Sequence, residues 1–286
     1  TGIDYCSLGP IFAAAQNEHA PLIEGIPHVL QDTERIFLSV MAATTRDGLN
    51  LRNIRRTAEA LLRATGEDSE GTRSRRFAVS ANVPANGPFF PSAYHRGRRH
   101  GFSIAIEAAD LAVEAFSAAV TLDEARDNLR RLLLNSCSKI VALAEDIAQE
   151  SGIVFRGTDI SLAPYPEESR SIAYALERLG VGRYGNAGTL FASAFITDIL
   201  AEVPTRKCGF SGLMIPLLED ATMAVRQQEG AYTLDSLLLY SAVCGAGLDT
   251  IPVPGNITVA QLASVYLDLC TLAVSLDKPL TARLMP

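Results

Sequence analysis

"TLDEARDNLRRLLLNSCSKIVALAEDIAQESGIVFRGTDISLA", residues 121–163, is the stretch that decides the fold class. Thr121 and Glu124 stand in a capping-box pattern, an apolar stripe recurs at helical spacing behind them, and Gly152 offers a left-handed stop. From Ile153 the pattern changes to β-branched and aromatic residues, which read as a strand until Asp159 interrupts it. A long helix that hands over to a strand in this way belongs to an architecture with helices layered on a sheet, so an α/β fold is expected.

The same alternation extends outward. Strands are expected at 35–43, 75–82, 101–108, 153–163, 212–217 and 248–253, with helices at 49–65, 121–152, 167–179, 187–201, 233–243 and 258–274. In the helix at 49–65, Leu51, Ile54, Ala58, Leu61 and Leu62 make one stripe with arginines opposite, and Thr258 is placed to cap the last helix. The polar stretch "TGEDSEGTRS" (65–74) reads as a mobile loop and a poor place for a site. Because α/β barrels use chains of this length for one core, residues 1–286 are expected to form a single large barrel-like domain.

With 48% hydrophobic and 20% charged residues and a mean hydropathy of +0.16, the chain has enough apolar surface for a large core. A formal net charge of −7 and a pI near 5.2 argue against sequence-independent nucleic-acid binding and leave a small-molecule ligand as the expected partner. Basic runs occur at 52–56, 73–76 and "HRGRRH" (95–100); the first two read as a solvated helix face and a polar loop. The five cysteines are odd in number and widely spaced, which fits reduced, mostly buried thiols in a cytoplasmic protein. No apolar run approaches membrane-spanning length. The helix at 187–201 is apolar around much of its circumference, so it serves either the core or a homo-oligomer contact.

Three stretches bring glycine, proline and carboxylates together where a strand ends and a helix begins, the place α/β folds put their sites. "GTDISLAPYPEES" (157–169) presents Asp159 amid strand residues, where a carboxylate needs donors or a cleft. "CGFSGLMIPLLEDATMA" (208–224) holds Ser211 and Gly212 in a turn whose amides suit an anion, followed by Glu219 and Asp220. "GFSG" is one residue short of a nucleophile elbow, so a Ser211 nucleophile is the weaker reading. "LLYSAVCGAGLDTIPVPGN" (238–256) offers Cys244 as a thiolate near glycine amides or as a small buried thiol, and Asp249 as either a turn clamp or a cleft carboxylate. His95 is a general acid or base candidate on a strand-end loop. No zinc-type H-E-x-x-H, P-loop or dinucleotide fingerprint is present, so an NAD cofactor is not expected.

The segments "ATTRDGLNL", "ANVPANGPFFPSAYH", "DISLAPYPEES", "GFSGLMIPLLEDATMA", "AVCGAGLDTIPVPGN" and "KPLTARLMP" together resemble the family called domain of unknown function 711, or uncharacterised protein family 0210. The resemblance runs from about residue 3 to the end. It implies a fold related to the ten-stranded α/β barrel of pyruvate formate-lyase and other glycyl radical enzymes. It does not imply their reaction: the C-terminus reads "DKPLTARLMP" where a glycyl radical loop would stand, and no adjacent cysteine pair is present. Members of the family usually carry a further segment before "IDYCSLGP", so Thr1 reads as a processed or truncated end; an N-terminal threonine nucleophile is the less favoured alternative.

The leading functional expectation is an enzyme, a hydrolase or lyase acting on a small polar or anionic metabolite. Glu219 or Asp220 and Asp249 would serve as acid/base groups or as ligands of a divalent metal such as Mg²⁺, Asp159 and His95 would assist, and Arg283 would pair an anionic substrate group. Two rivals stand beside it. One is a non-catalytic ligand-binding or regulatory protein, and the other makes the carboxylates structural clamps of turns.

Overall fold

β1 (Cys6–Phe12), β2 (Ile36–Thr44) and β4 (Phe77–Ala81) run parallel because helices carry the chain back between them, α1 (Ala20–Asp32) from β1 to β2 and α2 (Leu51–Thr65) from β2 to β4. A two-residue strand β3 (Gly48–Leu49) turns back antiparallel on β2. The computed structural model that gives this picture describes residues 2–14, 19–66, 68 and 70–286. Thr1, and with it the N-terminal nucleophile considered above, lies outside the described residues.

The chain forms two compact units. The first takes in the chain up to Ala85, Phe89–Tyr94 and Leu248–Pro286; the second takes in Asn86–Pro88 and His95–Gly247. In the first unit the sheet order is β1-β2-β4-β8-β7, where β7 is Gly247–Pro252 and β8, antiparallel to β4, is Leu280–Met285. Register separates the two faces of this sheet. Leu38 lies across from Phe77, Val40 from Val79, and Val79 from Ala282, so one face is apolar. The other face places Ser39 across from Ala78, Met41 across from Ser80, and Ser80 across from Thr281. The helix layer of this unit is α1, α2 and α9 (Val259–Ser275), with α9 along β2, β4 and β8. Ile23, Leu30, Ile54, Leu61, Leu262 and Leu269 of these helices are fully buried.

The second unit holds a parallel pair, β5 (Gly101–Ala105) and β6 (Val154–Asp159), extended by a bridge from Thr158 to Lys207. Around it stand α3 (Ala109–Ser117), α4 (Leu122–Ser151), α5 (Ile172–Arg178), α6 (Thr189–Glu202), α7 (Ala221–Gln228) and α8 (Leu234–Ser241). α4 begins and ends where its sequence requires. Thr121 accepts a hydrogen bond from the Glu124 amide at 3.2 Å, and Gly152 adopts φ 72°. The Glu124 carboxylate reaches the Val120 amide at 2.8 Å instead of the Thr121 amide, so the box closes one residue early.

The α/β class holds, and two expectations need correction. Among the described residues the strands form one sheet of six and one of two, and no closed barrel; a ten-stranded barrel is not what these residues make. One reason is that 212–217 is not a strand. It is a loop entering a 3-10 turn at Leu217–Glu219, because Gly212 passes Gly245 so closely that a Cβ on it would lie 2.4 Å from the Gly245 Cα. The Gly245 amide donates to the Leu213 carbonyl at 2.8 Å, so two loops cross here and no ladder forms. In the polar 65–74 stretch, Asp68 and residues 72–74 are also more organised than their composition suggests. The Asp68 carboxylate accepts from the Thr72 amide (3.0 Å), the Thr72 hydroxyl (2.8 Å), the Arg73 amide (2.7 Å) and the Ser74 amide (3.3 Å). Among the described residues no helix is long and apolar enough to cross a membrane.

Candidate functional site

Asp159 ends β6 fully buried, and the loop that follows α6 folds over it. Its carboxylate accepts from the Ser161 hydroxyl (2.6 Å) and amide (3.1 Å), the Phe210 amide (2.7 Å) and the Ser211 amide (2.9 Å). Burial pushes its pKa above the ordinary carboxylate value, and the four donors only partly offset that rise. Gly209, at φ 61°, is required: a Cβ there would lie 2.1 Å from Asp159 Oδ2. Ser211, at φ 42°, donates its hydroxyl to the Cys208 carbonyl at 2.9 Å, and the Gly212 amide donates to the Ser161 hydroxyl at 3.2 Å. Asp159, Ser211 and Gly212 are thus brought together, as members of one turn.

Asp220 is built the same way. It caps α7 through the Met223 amide (2.9 Å) and also accepts from the Ser171 hydroxyl (2.6 Å) and the amides of Ile172 (2.7 Å) and Ala173 (3.2 Å) at the start of α5. One buried carboxylate therefore holds two helix N-termini, whose orphan amides and partial positive charge suit an anion. Burial raises its pKa, again against the pull of these donors. Glu219, its neighbour, is half-buried at the end of the 3-10 turn. Cys244 is a buried thiol, in no disulfide, just past α8. His95 is exposed, its Nε2 3.2 Å from the Gly97 carbonyl oxygen.

Asp249 and Arg283 belong to the first unit, and the fold joins them. They sit on β7 and β8, neighbours in the sheet though 34 positions apart in sequence, and Arg283 Nε donates to Asp249 Oδ1 at 2.6 Å. Arg283 follows Thr281 by two positions, so it projects from the Ser80 and Ser39 face, the polar side of the sheet. The side chains keep 13% and 16% exposure, enough for solvent to reach the pair. The adjacent Thr250 is buried at φ 45°, a conformation costly for a β-branched residue, and its hydroxyl has no partner. The Ser39 hydroxyl on β2 is likewise buried and unpartnered, whereas Ser80 and Ser92 share a bond at 2.8 Å.

The proposed metal ligands do not share an element or a unit: Glu219 lies in the second and Asp249 in the first. Among the described residues no group of three or more His, Cys, Asp or Glu is placed to hold a metal ion. Three polar centres went unread in the sequence. Asp68 gathers the 72–74 amides, and Thr250 is strained beside Asp249. Glu177 takes the Arg226 guanidinium on both oxygens (2.7 and 2.9 Å) and the Tyr184 amide at 2.9 Å. Only the Gly and Asp around Asp68 carried any signal for such a turn.

Comparison with known proteins places these residues in context. A family model described as Uncharacterised ACR (DUF711) matches residues 1–286. A "UPF0210 protein" of Pyrobaculum arsenaticum is 36% identical over 277 residues, covering 93% of this chain and 60% of the relative. One from Methanopyrus kandleri is 30% identical over 299 aligned positions, covering 100% of this chain and 65% of the relative. One from Listeria monocytogenes is 30% identical over 276 residues, covering 93% and 61%. The chain thus spans less than two thirds of the length of these relatives, and none of their names states a reaction.

Proposed function

The chain belongs to the family described as Uncharacterised ACR (DUF711), and we propose that its first unit holds a site for a small polar or anionic metabolite at the Asp249–Arg283 pair. The observation that carries this reading is a charged pair, still reached by solvent, on the polar side of a sheet whose other face is apolar. Beside it an unpartnered hydroxyl and a strained backbone persist at Thr250. Groups left strained and unsatisfied concentrate at functional sites, because packing alone removes them.

In this reading the Arg283 guanidinium binds the anionic group of the ligand, for which its planar fork is suited. Asp249, oriented by the bond from Nε, is the group that takes or returns a proton. Asp159 and Asp220 contribute by holding turns and helix ends, since each already accepts four hydrogen bonds. The non-catalytic alternative keeps the same site and removes the proton transfer.

The test is to incubate the protein with pooled small carboxylic and phosphorylated metabolites and follow each component by proton NMR. Consumption of one component by wild type but not by Asp249→Asn supports the enzyme. Line broadening without consumption, lost in Arg283→Gln, supports the binding protein. A pool in which nothing is consumed or broadened sinks both.

A further inference from the structure

The run "HRGRRH" is not absorbed by this reading, and the structure shows more than a solvated loop. Residues 95–100 of the second unit are exposed throughout and present Arg96, Arg98 and Arg99 between two histidines. Their backbone is fixed to β6. The Val154 amide donates to the His100 carbonyl at 3.1 Å, and the Arg156 guanidinium donates to the Arg99 carbonyl at 3.1 Å. Gly101 makes the second contact feasible, since a Cβ there would lie 2.6 Å from Arg156 Nε. That Nε is buried and has no partner. A fourth cation is thereby laid against the loop.

Some arginines elsewhere in this acidic chain pair with carboxylates, as Arg126 does with Glu202 and Arg183 with Glu229. Among the described residues Arg96, Arg98, Arg99 and Arg156 have none. Three of them fall within four consecutive residues, a span of about 10 Å at most, comparable with the Debye length of roughly 8 Å at physiological salt. Their mutual repulsion is therefore incompletely screened. A ligand that relieves it must carry several negative charges over a similarly short distance, and guanidinium forks match phosphate oxygens two at a time.

We propose that the 95–100 loop, backed by Arg156, is a binding site for a polyphosphate group, whether of inorganic triphosphate or of a nucleoside triphosphate. A carboxylate supplies too little charge to answer four cations. The loop holds no Phe, Tyr or Trp, so its histidines and guanidinium planes are all it offers for base stacking. The proposal rests on the second unit alone and stands or falls separately from the Asp249–Arg283 site.

Isothermal titration of the whole chain with sodium triphosphate, ATP and adenosine at low salt tests it. Wild type is expected to bind triphosphate and ATP but not adenosine. The double variant Arg98→Gln/Arg99→Gln, checked for an unchanged melting temperature, should bind about tenfold or more weakly, since charge-assisted phosphate contacts are the strong kind. Equal affinity for triphosphate and ATP assigns the contacts to phosphate alone, and tighter binding of ATP adds the nucleoside. The proposal is overturned if neither phosphate compound binds wild type, if the double variant binds as tightly, or if a mixed-sequence oligonucleotide displaces triphosphate at equal phosphate concentration.

Discussion

Gly209→Ala probes how rigidly the Asp159 turn is set. The substitution carries two separable costs. A left-handed backbone at φ 61° costs an alanine about 1–2 kcal/mol. The new Cβ also lies 2.1 Å from Asp159 Oδ2 and 3.2 Å from Pro88 Cδ, and the carboxylate has no free direction to move because four donors hold it. Giving way forfeits at least the bond from the Phe210 amide, a charge-assisted hydrogen bond of roughly 1.5–3 kcal/mol. The total is about 2.5–5 kcal/mol. Gly152→Ala supplies the reference, since Gly152 has φ 72° and nothing within 4 Å of its Cβ position; it should lose only the backbone part, about 1–2 kcal/mol. Urea unfolding followed by circular dichroism measures both, with an unchanged slope showing that stability alone has moved. If the two variants lose the same stability to within about 1 kcal/mol, the Asp159 clamp is not the rigid element described here.

Two further outcomes follow from the other carboxylates. Asp220→Ala strands a hydroxyl and three amides at the starts of α5 and α7. With buried donors at about 1–3 kcal/mol each and partial relaxation, a loss of roughly 3–5 kcal/mol is expected, or on the order of 10 °C in Tm by scanning fluorimetry; a change under about 2 °C would contradict the double cap. The pH response has opposite signs in two pairs of groups. At Asp68 and Glu177, burial alone would raise the pKa, but hydrogen bonds from Arg73 and Thr72, and from Arg226 and Tyr184, hold it below the ordinary value. Their contribution is present above the unfolded carboxylate pKa of about 4 and is lost as pH falls through the depressed values. Asp159 and Asp220 are raised, so their contribution is complete at acid pH and fades as pH rises through their folded values. Asp68→Asn combined with Glu177→Gln should therefore flatten the fall in Tm between about pH 5 and pH 3, and an unchanged acid limb would refute the assignment.

The sequence carried the fold where one element satisfies its own pattern. α2, α4, α6, α8 and α9 lie within a few residues of their expected positions because their apolar patterns and, for α4 and α9, the capping residues Thr121 and Thr258 mark them. β1 escaped because Gly9 (φ 80°) and Pro10 sit at a register shift inside it, and β8 because Arg283 breaks its apolar run. α1 was hidden by Pro21 and Pro27. The candidate site was legible residue by residue and illegible in its pairings. Asp159 and Asp220 stood out as carboxylates needing donors, but several of the donors come from positions about fifty residues away. Asp249 and Arg283 were both singled out, yet only the adjacency of β7 and β8 makes them partners.

The central claim is that Arg283 binds the anionic end of a metabolite beside Asp249, and the most direct measurement is the ligand-induced rise in Tm of wild type and Arg283→Lys. Lysine keeps a cation next to Asp249 but not the planar fork, so the unliganded variant should melt within about 3 °C of wild type. The account predicts that at least one small carboxylate or phosphorylated acid raises the wild-type Tm and that most of this rise is absent in Arg283→Lys. An equal rise in both proteins, or none in wild type across the panel, would contradict it.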